Sequence, residues 1–408
     1  MKILLINKFL YRRAGAETSF LDTARLLSSK GHEVILWGMD DKKNPENKYK
    51  NFLLKGIDYN KPLGLFQSFK AGLDLLYNFK AKNQIKKLIS RIKPDIAHIH
   101  NIAHQISPSI LDSLYEFKIP TAMTLHDYKL FCPNYRMFTQ ERYCDECKNS
   151  RFHRCFLNKC VKDSYPKSLL TSLEMFLHHN ILKIYDKVNT FTSPSLFLIQ
   201  KARDFGLKKE IIHHKYFMDA KNCRPSYDCK EKALLYFGRL SSEKGIMPLI
   251  ETVKSLKVNL RIAGGGPLKE EIEKKIKNEK INNVFFLGYK EKKDLDQEIG
   301  SILFTVVPSL WHENSPFAVL ESFVKGKPVI ASNTGGIPEL VKDMKTGLIF
   351  NPQNTKELGN KISFLYNNPG LVKEMGQRAR EFIEEEFDPD QHYLDLMHIY
   401  KQTIAAEK

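Results

Sequence analysis

What the 408-residue chain lacks narrows it first. No apolar stretch approaches the roughly 18 residues that a membrane-spanning helix needs. The opening MKILLINKF reads as a first strand and not as a signal peptide, which gives the expectation of a cytoplasmic protein. No repeat recurs at solenoid periods, and no low-complexity tract interrupts the chain. Acidic residues are in deficit: 47 Asp and Glu stand against 64 Lys and Arg, a formal net charge of +17. Such an excess calls for an anionic partner, and a nucleotide diphosphate, an anionic lipid and nucleic acid all qualify. No helix-turn-helix, zinc-finger helix or RNA-recognition motif accompanies the charge, which leaves a basic nucleic-acid-binding protein as the weaker alternative.

What is present is a globular α/β composition. The apolar content is 42%, and a chain of this length is expected to divide into two domains of about 200 residues each. KILLIN, HEVILWGM, DIAHIH and PTAMTL are short apolar runs separated by helical periods, which predicts a mostly parallel sheet, and TFTSPSLFLIQKARDFGL closes this half. A polar linker, MDAKNCRPSYDCKEK, precedes a second series: ALLYFG, LRIAG, VFFLGY, ILFTVVPS, PVIAS and TGLIF. The expected boundaries are residues 1–215 and 216–408, with a cysteine-rich insertion near 132–160 and a final helix over about 389–405.

Arg239 and Lys244 follow ALLYFG and precede a helix expected to start near Pro248. Cations beside a helix N-terminus oppose its dipole unless an anion sits between them, so the pattern predicts a bound phosphate. The amides after Pro316 extend the logic. Asn314 or Ser315 is read as a cap, Pro316 as the first helical residue, and Glu313 and Glu321 as lying on one helical face two turns apart. Two helix mouths and two cations suit a diphosphate.

GRLSSEKG, GGGPL, ENSPFAVLE and GGIPE, in this order, resemble the retaining glycosyltransferases of family 4. The resemblance implies a GT-B fold, two Rossmann-like doubly wound domains facing a central cleft. The C-terminal domain would bind a UDP- or GDP-sugar donor and the N-terminal domain a saccharide acceptor, with the final helix crossing back onto the latter. No cofactor and no catalytic metal are implied. Carried onto this chain, Arg239 and Lys244 neutralise the diphosphate and Glu321 holds the ribose hydroxyls. Glu313 supports the transferring sugar, and His126, at the end of PTAMTL, contacts it. Gly15 belongs to the first glycine loop, where Ala14 replaces the family's usual second glycine. Gly265, Gly288 and Tyr289 fall where the family holds the nucleobase, and Ser315, Phe317 and Ala318 at the mouth of the second helix. The rival reading of GGGPL as a dinucleotide fingerprint, hence an NAD-dependent dehydrogenase, lacks the third glycine at the right offset and an acidic ribose partner.

Two features stay open. Cys144, Cys147, Cys155 and Cys160 have near zinc-site spacing, and either a structural zinc or reduced thiols on an acceptor-side loop would explain them. Residues 48–93 mix Lys and Arg with Phe, Leu and Tyr, which fits either contact with an anionic membrane or a solvated basic face. The first would suit an acceptor on a lipid diphosphate carrier at the inner membrane face, in assembly of a capsule, O-antigen or exopolysaccharide.

Overall fold

The computed structural model describes residues 1–55 and 65–407. Uninterrupted aliphatic runs such as ALLYF, FTVV and VIAS form strands buried along their whole length, as in parallel sheets covered by helices on both faces. Two six-stranded sheets result. The first holds β1 (Lys2–Ile6), β2 (Glu33–Trp37), β3 (Ile96–Ile99), β4 (Thr121–Thr124), β5 (Thr190–Ser193) and β6 (Ile211–His213), in the order β6-β5-β4-β3-β1-β2. The second holds β7 (Ala233–Phe237), β8 (Asn259–Ala263), β9 (Val284–Gly288), β10 (Phe304–Val307), β11 (Val329–Ser332) and β12 (Gly347–Phe350), in the order β9-β8-β7-β10-β11-β12. Every pairing within the two sheets is parallel. Both are Rossmann-like, as the sequence pattern predicts.

The chain forms two compact units: Met1–Met137, Asp145–Tyr216 and Asp390–Lys408 in the first, Phe138–Cys144 and Phe217–Pro389 in the second. A doubly wound sheet binds ligands beyond the carboxyl ends of its strands, where the winding reverses. That switch point lies between β1 and β3 in the first unit and between β7 and β10 in the second.

In the first unit, α1 (Gly15–Ser29) starts at the glycine itself, after an extended Ala14, and buries Phe20, Ala24 and Leu27. The basic stretch contributes α2 (Leu65–Leu76) and α3 (Phe79–Ile92), while residues 56–64 of it lie outside the described residues. Asn78 caps α3 by accepting from the Ala81 amide at 2.9 Å, and Ala81, Ile85, Leu88, Ile89 and Ile92 face the core. The lysines of α3 therefore sit on the face opposite a packed one. α4 (Tyr165–Phe176) follows the cysteine-rich stretch.

The second unit contains α5 (Ile246–Lys254), α6 (Phe317–Val324) and α7 (Pro369–Glu386). α5 begins two residues ahead of Pro248, after a tight turn at Ser242–Lys244 and a left-handed Gly245. α8 (Pro389–Glu407) packs on the first sheet: Tyr400 Oη lies 2.7 Å from His98 Nδ1, and Thr403 Oγ1 lies 2.8 Å from Thr190 Oγ1. Among the described residues no helix is long and apolar enough to cross a membrane.

Arg380 on α7 is buried and ties the chain entering the second unit to the end of α6. Its guanidinium donates to the carbonyls of Ala220 at 2.5 Å, Cys223 at 2.9 Å and Val324, and pairs with Glu384 at 2.5 Å. Truncation orphans three carbonyls, so Arg380→Ala should destabilise this unit by about 3 kcal/mol, read as a lower urea midpoint. An unchanged midpoint would mean that solvent reaches those carbonyls.

Candidate active site

The turns that leave β7, β8 and β9 are laced together through backbone. Gly264 N donates to Gly288 O at 2.8 Å, Gly238 N to Ala263 O at 3.0 Å, and Leu240 N to Gly265 O at 2.9 Å. Gly264 has φ +154°, and a Cβ there would lie 1.9 Å from the Gly238 carbonyl oxygen, so no side chain fits. The two glycine turns are one surface. The next turn is strapped across the switch point: Leu310 N donates to Glu243 O at 2.9 Å, and the buried Glu243 carboxylate accepts from Ser241 Oγ at 2.8 Å. Nothing in the sequence pattern marked Glu243, because its role is to hold a turn.

That strap brings Lys244 to Glu313. Lys244 Nζ lies 2.6 Å from Glu313 Oε1, which also accepts from Ser309 Oγ at 2.6 Å. The ammonium stands 5.0 Å over the Trp311 ring. Glu313 is buried, and its backbone is seated on the GGIPE turn: Gly336 N donates to Glu313 O at 2.8 Å. Gly335, at φ +61°, lies so close that a Cβ would meet that oxygen at 2.1 Å. The motif Thr334-Gly335-Gly336 is thus the floor beneath residues 312–313, and Thr334 Oγ1 binds His312 Nδ1 at 2.6 Å.

The helix mouth differs from expectation. Pro316 is the extended N-cap of α6 and not its first residue. Glu313 consequently lies outside the helix, and the two carboxylates do not share a helical face. Ser315 Oγ and Trp311 Nε1 are buried without a hydrogen-bond partner, two polar groups beside the ion pair that a bound ligand could satisfy. Phe317 and Ala318, both half-buried, form the first turn of α6.

Glu321, on α6, points to the other side of the switch point, where Lys292 Nζ lies 3.5 Å from its carboxylate. Lys292 is a residue that sequence reasoning missed. Burial works to lower its pKa, but the Glu321 and Asp296 carboxylates outweigh it and hold the ammonium above the ordinary lysine value. Lys292 opens the helix that follows β9, so Glu321 is drawn toward the end where Gly288 and Tyr289 lie. Tyr289 is 74% exposed, which excludes a core role and leaves its ring available for stacking. Arg239 is exposed at the end of β7, with its carbonyl accepting from Tyr236 Oη at 2.7 Å. Arg239, Lys244, Gly265, Gly288, Glu313, Ser315 and Glu321 thus all follow the carboxyl ends of four adjacent strands, β9, β8, β7 and β10.

Gly15 and His126 belong to the first unit. At its switch point Lys8 N donates to Asn101 O at 2.8 Å, and Asn101 N to Asn7 Oδ1 at 3.0 Å. Burial lowers the Lys8 pKa against the opposing pull of Glu17 and Asp127, and raises the pKa of both carboxyls. His126 stacks between His100 and Tyr216, with Nε2 2.7 Å from His100 Nδ1 and Nδ1 2.7 Å from Tyr216 Oη. Both ring nitrogens are engaged inside the protein, and burial depresses the pKa to about 3, so the ring is neutral. His100 Nε2, at the end of this chain of rings, is buried without a partner.

Among the described residues no three His, Cys, Asp or Glu side chains gather as a metal site. Cys155 Sγ instead lies 3.8 Å from Thr171 Oγ1, and Cys132 Sγ donates to Asn134 Oδ1 at 3.1 Å.

Residues 13–214 match the family described as Glycosyltransferase Family 4, and residues 224–382 the family described as Glycosyl transferases group 1. An uncharacterized glycosyltransferase of Methanocaldococcus jannaschii is 29% identical over 168 residues, 41% of this chain and 47% of that protein, so the chain spans about half of that relative. An uncharacterized 42.6 kDa protein in the cps region of Klebsiella pneumoniae is 27% identical over 359 residues, 83% of this chain and 87% of that one. Among solved structures, a sucrose-phosphate synthase from Thermosynechococcus elongatus superposes with a TM-score of 0.74 at 17% identity, covering 99% of each chain. The Anabaena protein HepE, solved in complex with UDP, superposes with a TM-score of 0.68 at 16% identity, covering 98% of this chain and 100% of that one. The fold is that of the GT-B glycosyltransferases. The chain belongs to glycosyltransferase family 4.

The buried histidines carry a pH signature. His98 and His126 are held at about 3 and His214 at about 4 by burial, against an ordinary value near 6.5. The unfolded chain binds protons that the folded one refuses, so stability is full above pH 6.5 and is lost as pH falls toward those depressed values. Each such ring contributes about 1.4 kcal/mol per pH unit in that window. The urea midpoint should stay level above pH 7 and fall between pH 6.5 and 5 more steeply than one histidine allows, a range above most carboxylate titration. A level midpoint through that range would contradict the neutral network.

Proposed function

We propose that the chain is a retaining, metal-independent glycosyltransferase that moves a sugar from a UDP- or GDP-sugar to a saccharide acceptor. The observation that carries this reading is the Lys244–Glu313 contact at the switch point of the second sheet, beside the orphaned Ser315 Oγ and Trp311 Nε1. An ammonium already held by an internal carboxylate has further N–H groups to offer a diphosphate oxygen, so it can bridge the two without leaving a bare charge in a half-buried place.

In this reading Lys244, Arg239 and the N-terminus of α6 take up the negative charge that develops on the departing diphosphate, the electrostatic work that a metal would otherwise do. The bond from the sugar's anomeric carbon to the β-phosphate oxygen breaks. The acceptor hydroxyl attacks from the same face, and its proton passes to the departing oxygen. Glu313 supports the oxocarbenium-like charge. Glu321, poised by Lys292, takes the ribose hydroxyls, and Tyr289 stacks on the base. The neutral His126 is not a proton donor in this reading, and it meets the sugar only by exchanging its bond to His100 or Tyr216 for one to a sugar hydroxyl. The UDP complex of the Anabaena protein supports a uridine donor, and the location of the Klebsiella relative in a cps region supports a role in cell-surface polysaccharide assembly. The acceptor saccharide in this reading is carried on a lipid diphosphate.

Lys244→Ala and Arg239→Ala should each lower kcat/KM about a hundredfold, about 3 kcal/mol of transition-state stabilisation. Glu321→Ala should chiefly raise the donor KM. A panel of nucleoside diphosphates and nucleotide sugars in thermal-shift titrations comes first: failure of both UDP and GDP to stabilise the wild type would remove the donor site altogether.

A further inference from the structure

α4 is inside out. The residues it turns inward are polar: Ser168, Thr171, Ser172 and Glu174, with Met175 the apolar exception. Each inward polar side chain has a partner, although Glu174 bonds through one oxygen only. Ser168 Oγ accepts from Val161 N at 3.0 Å, Ser172 Oγ donates to Ser168 O at 2.8 Å, and Glu174 Oε2 takes Lys129 Nζ at 2.8 Å. The residues it turns outward are apolar: Tyr165, Leu169, Leu173 and Phe176 are 49%, 43%, 49% and 48% exposed. Their spacing of four, four and three places them on one narrow stripe of the helix. α2 runs alongside, its Gly72 against Leu170, and adds Leu73, 50% exposed. Past the end of α4, Ile181 continues the apolar surface at 62% exposure.

We propose that this stripe is a docking surface for an anionic lipid bilayer. The helix is anchored through its polar face and Met175, which leaves about half of each stripe side chain in solvent. Charge selects the partner. Between residues 154 and 187 the exposed charged side chains are Arg154, Lys162, Lys167 and Lys183 against Asp163 and Asp186. The acid within α4 itself, Glu174, is buried with Lys129. Two copies meeting through this face would oppose lysine to lysine, whereas apolar residues at acyl depth and lysines among headgroups suit an anionic bilayer. The surface differs from the packed face of α3, and it is short enough to give reversible binding. The docking geometry stands by itself; that it brings a lipid-linked acceptor to the site rests on the proposed transfer reaction.

The test is sedimentation of the full chain with vesicles of phosphatidylcholine alone or with phosphatidylglycerol added, at low and high salt. The wild type should sediment with the anionic vesicles and be released by salt. The triple variant L169S/L173S/F176S should bind at least about tenfold more weakly. L394S, which removes another exposed leucine on α8, should bind as the wild type. Because these side chains are about half exposed, the triple variant should melt within a few degrees of the wild type. Should it melt early, K162E/K167E serves in its place and should also lose anionic binding. Three results would overturn the proposal: a wild type that ignores anionic vesicles, a triple variant that binds undiminished, or a wild-type dimer that the triple variant turns into a monomer. UDP or GDP stabilisation, measured in parallel, separates the questions, since its absence sinks the donor site and leaves the vesicle result standing.

Discussion

One ion pair organises the second unit. Lys244 and Glu313 lie 69 positions apart in sequence and 2.6 Å apart in space because β7 and β10 are neighbours across the reversal of the winding. A carboxylate this deeply buried is costly unless a cation and hydrogen-bond donors stand against it. Here the cation is Lys244 and the neutral donor is Ser309. The rest of the local architecture maintains that contact. The Glu243 carbonyl straps the lysine's turn to residues 310–311, and the close approach of Gly335 seats the glutamate's backbone. Shifting either loop by the width of a methyl group would part the pair, which is why glycine occupies the one place where a Cβ would meet the Glu313 oxygen.

The first unit solves a different problem, that of a polar interior. His98 Nε2 bonds Thr124 Oγ1, which lies 2.8 Å from Thr192 Oγ1, so three adjacent strands are joined through side chains as well as through backbone. α8 completes the set with Tyr400. The buried Lys129–Glu174 pair belongs to the same economy and has a consequence outside the core. A helix has a fixed angular period, and once Glu174 and Ser168 are turned inward, Leu169, Leu173 and Phe176 can only face out. The exposed stripe is the geometric complement of an interior chosen to be polar.

Fold and site were legible to different depths. Apolar runs bounded by Gly, Pro and Asp located nearly every strand, because strands buried on both faces leave little ambiguity of period. β5, Thr190–Ser193, and β6, Ile211–His213, escaped, being short and largely polar. Glycines at strand ends were legible as turns, and their reason appears only in space, where Gly264 meets the Gly238 carbonyl. Pro316 was read as the first helical residue from a general preference, yet the chain holds it extended, which lifts Glu313 off the helix. Lys292, Trp311 and Ser309 gave no signal, since each acts through a neighbour that is distant in sequence. The inside-out character of α4 was in principle readable: YPKSLLTSLEMF has two helical faces, one apolar and one polar. Which face points inward depends on Lys129, and no local pattern reveals that.

The geometry of Glu313 also bears on the chemistry of retention. A double-displacement route needs a carboxylate oxygen free to attack the anomeric carbon. Glu313 Oε1 accepts from an ammonium and a hydroxyl at once, each at 2.6 Å, and both draw electron density from the carboxylate. Those bonds weaken both carboxylate oxygens as nucleophiles, and displacing Lys244 by an incoming diphosphate would restore the density only by placing two anions side by side, which opposes donor binding. If Lys244 bridges both groups, the carboxylate keeps its hydrogen bonds and its charge stays in place to face a developing oxocarbenium. On that balance the transfer proposed above would use Glu313 as a fixed electrostatic partner and leave the departing phosphate oxygen to take the acceptor proton.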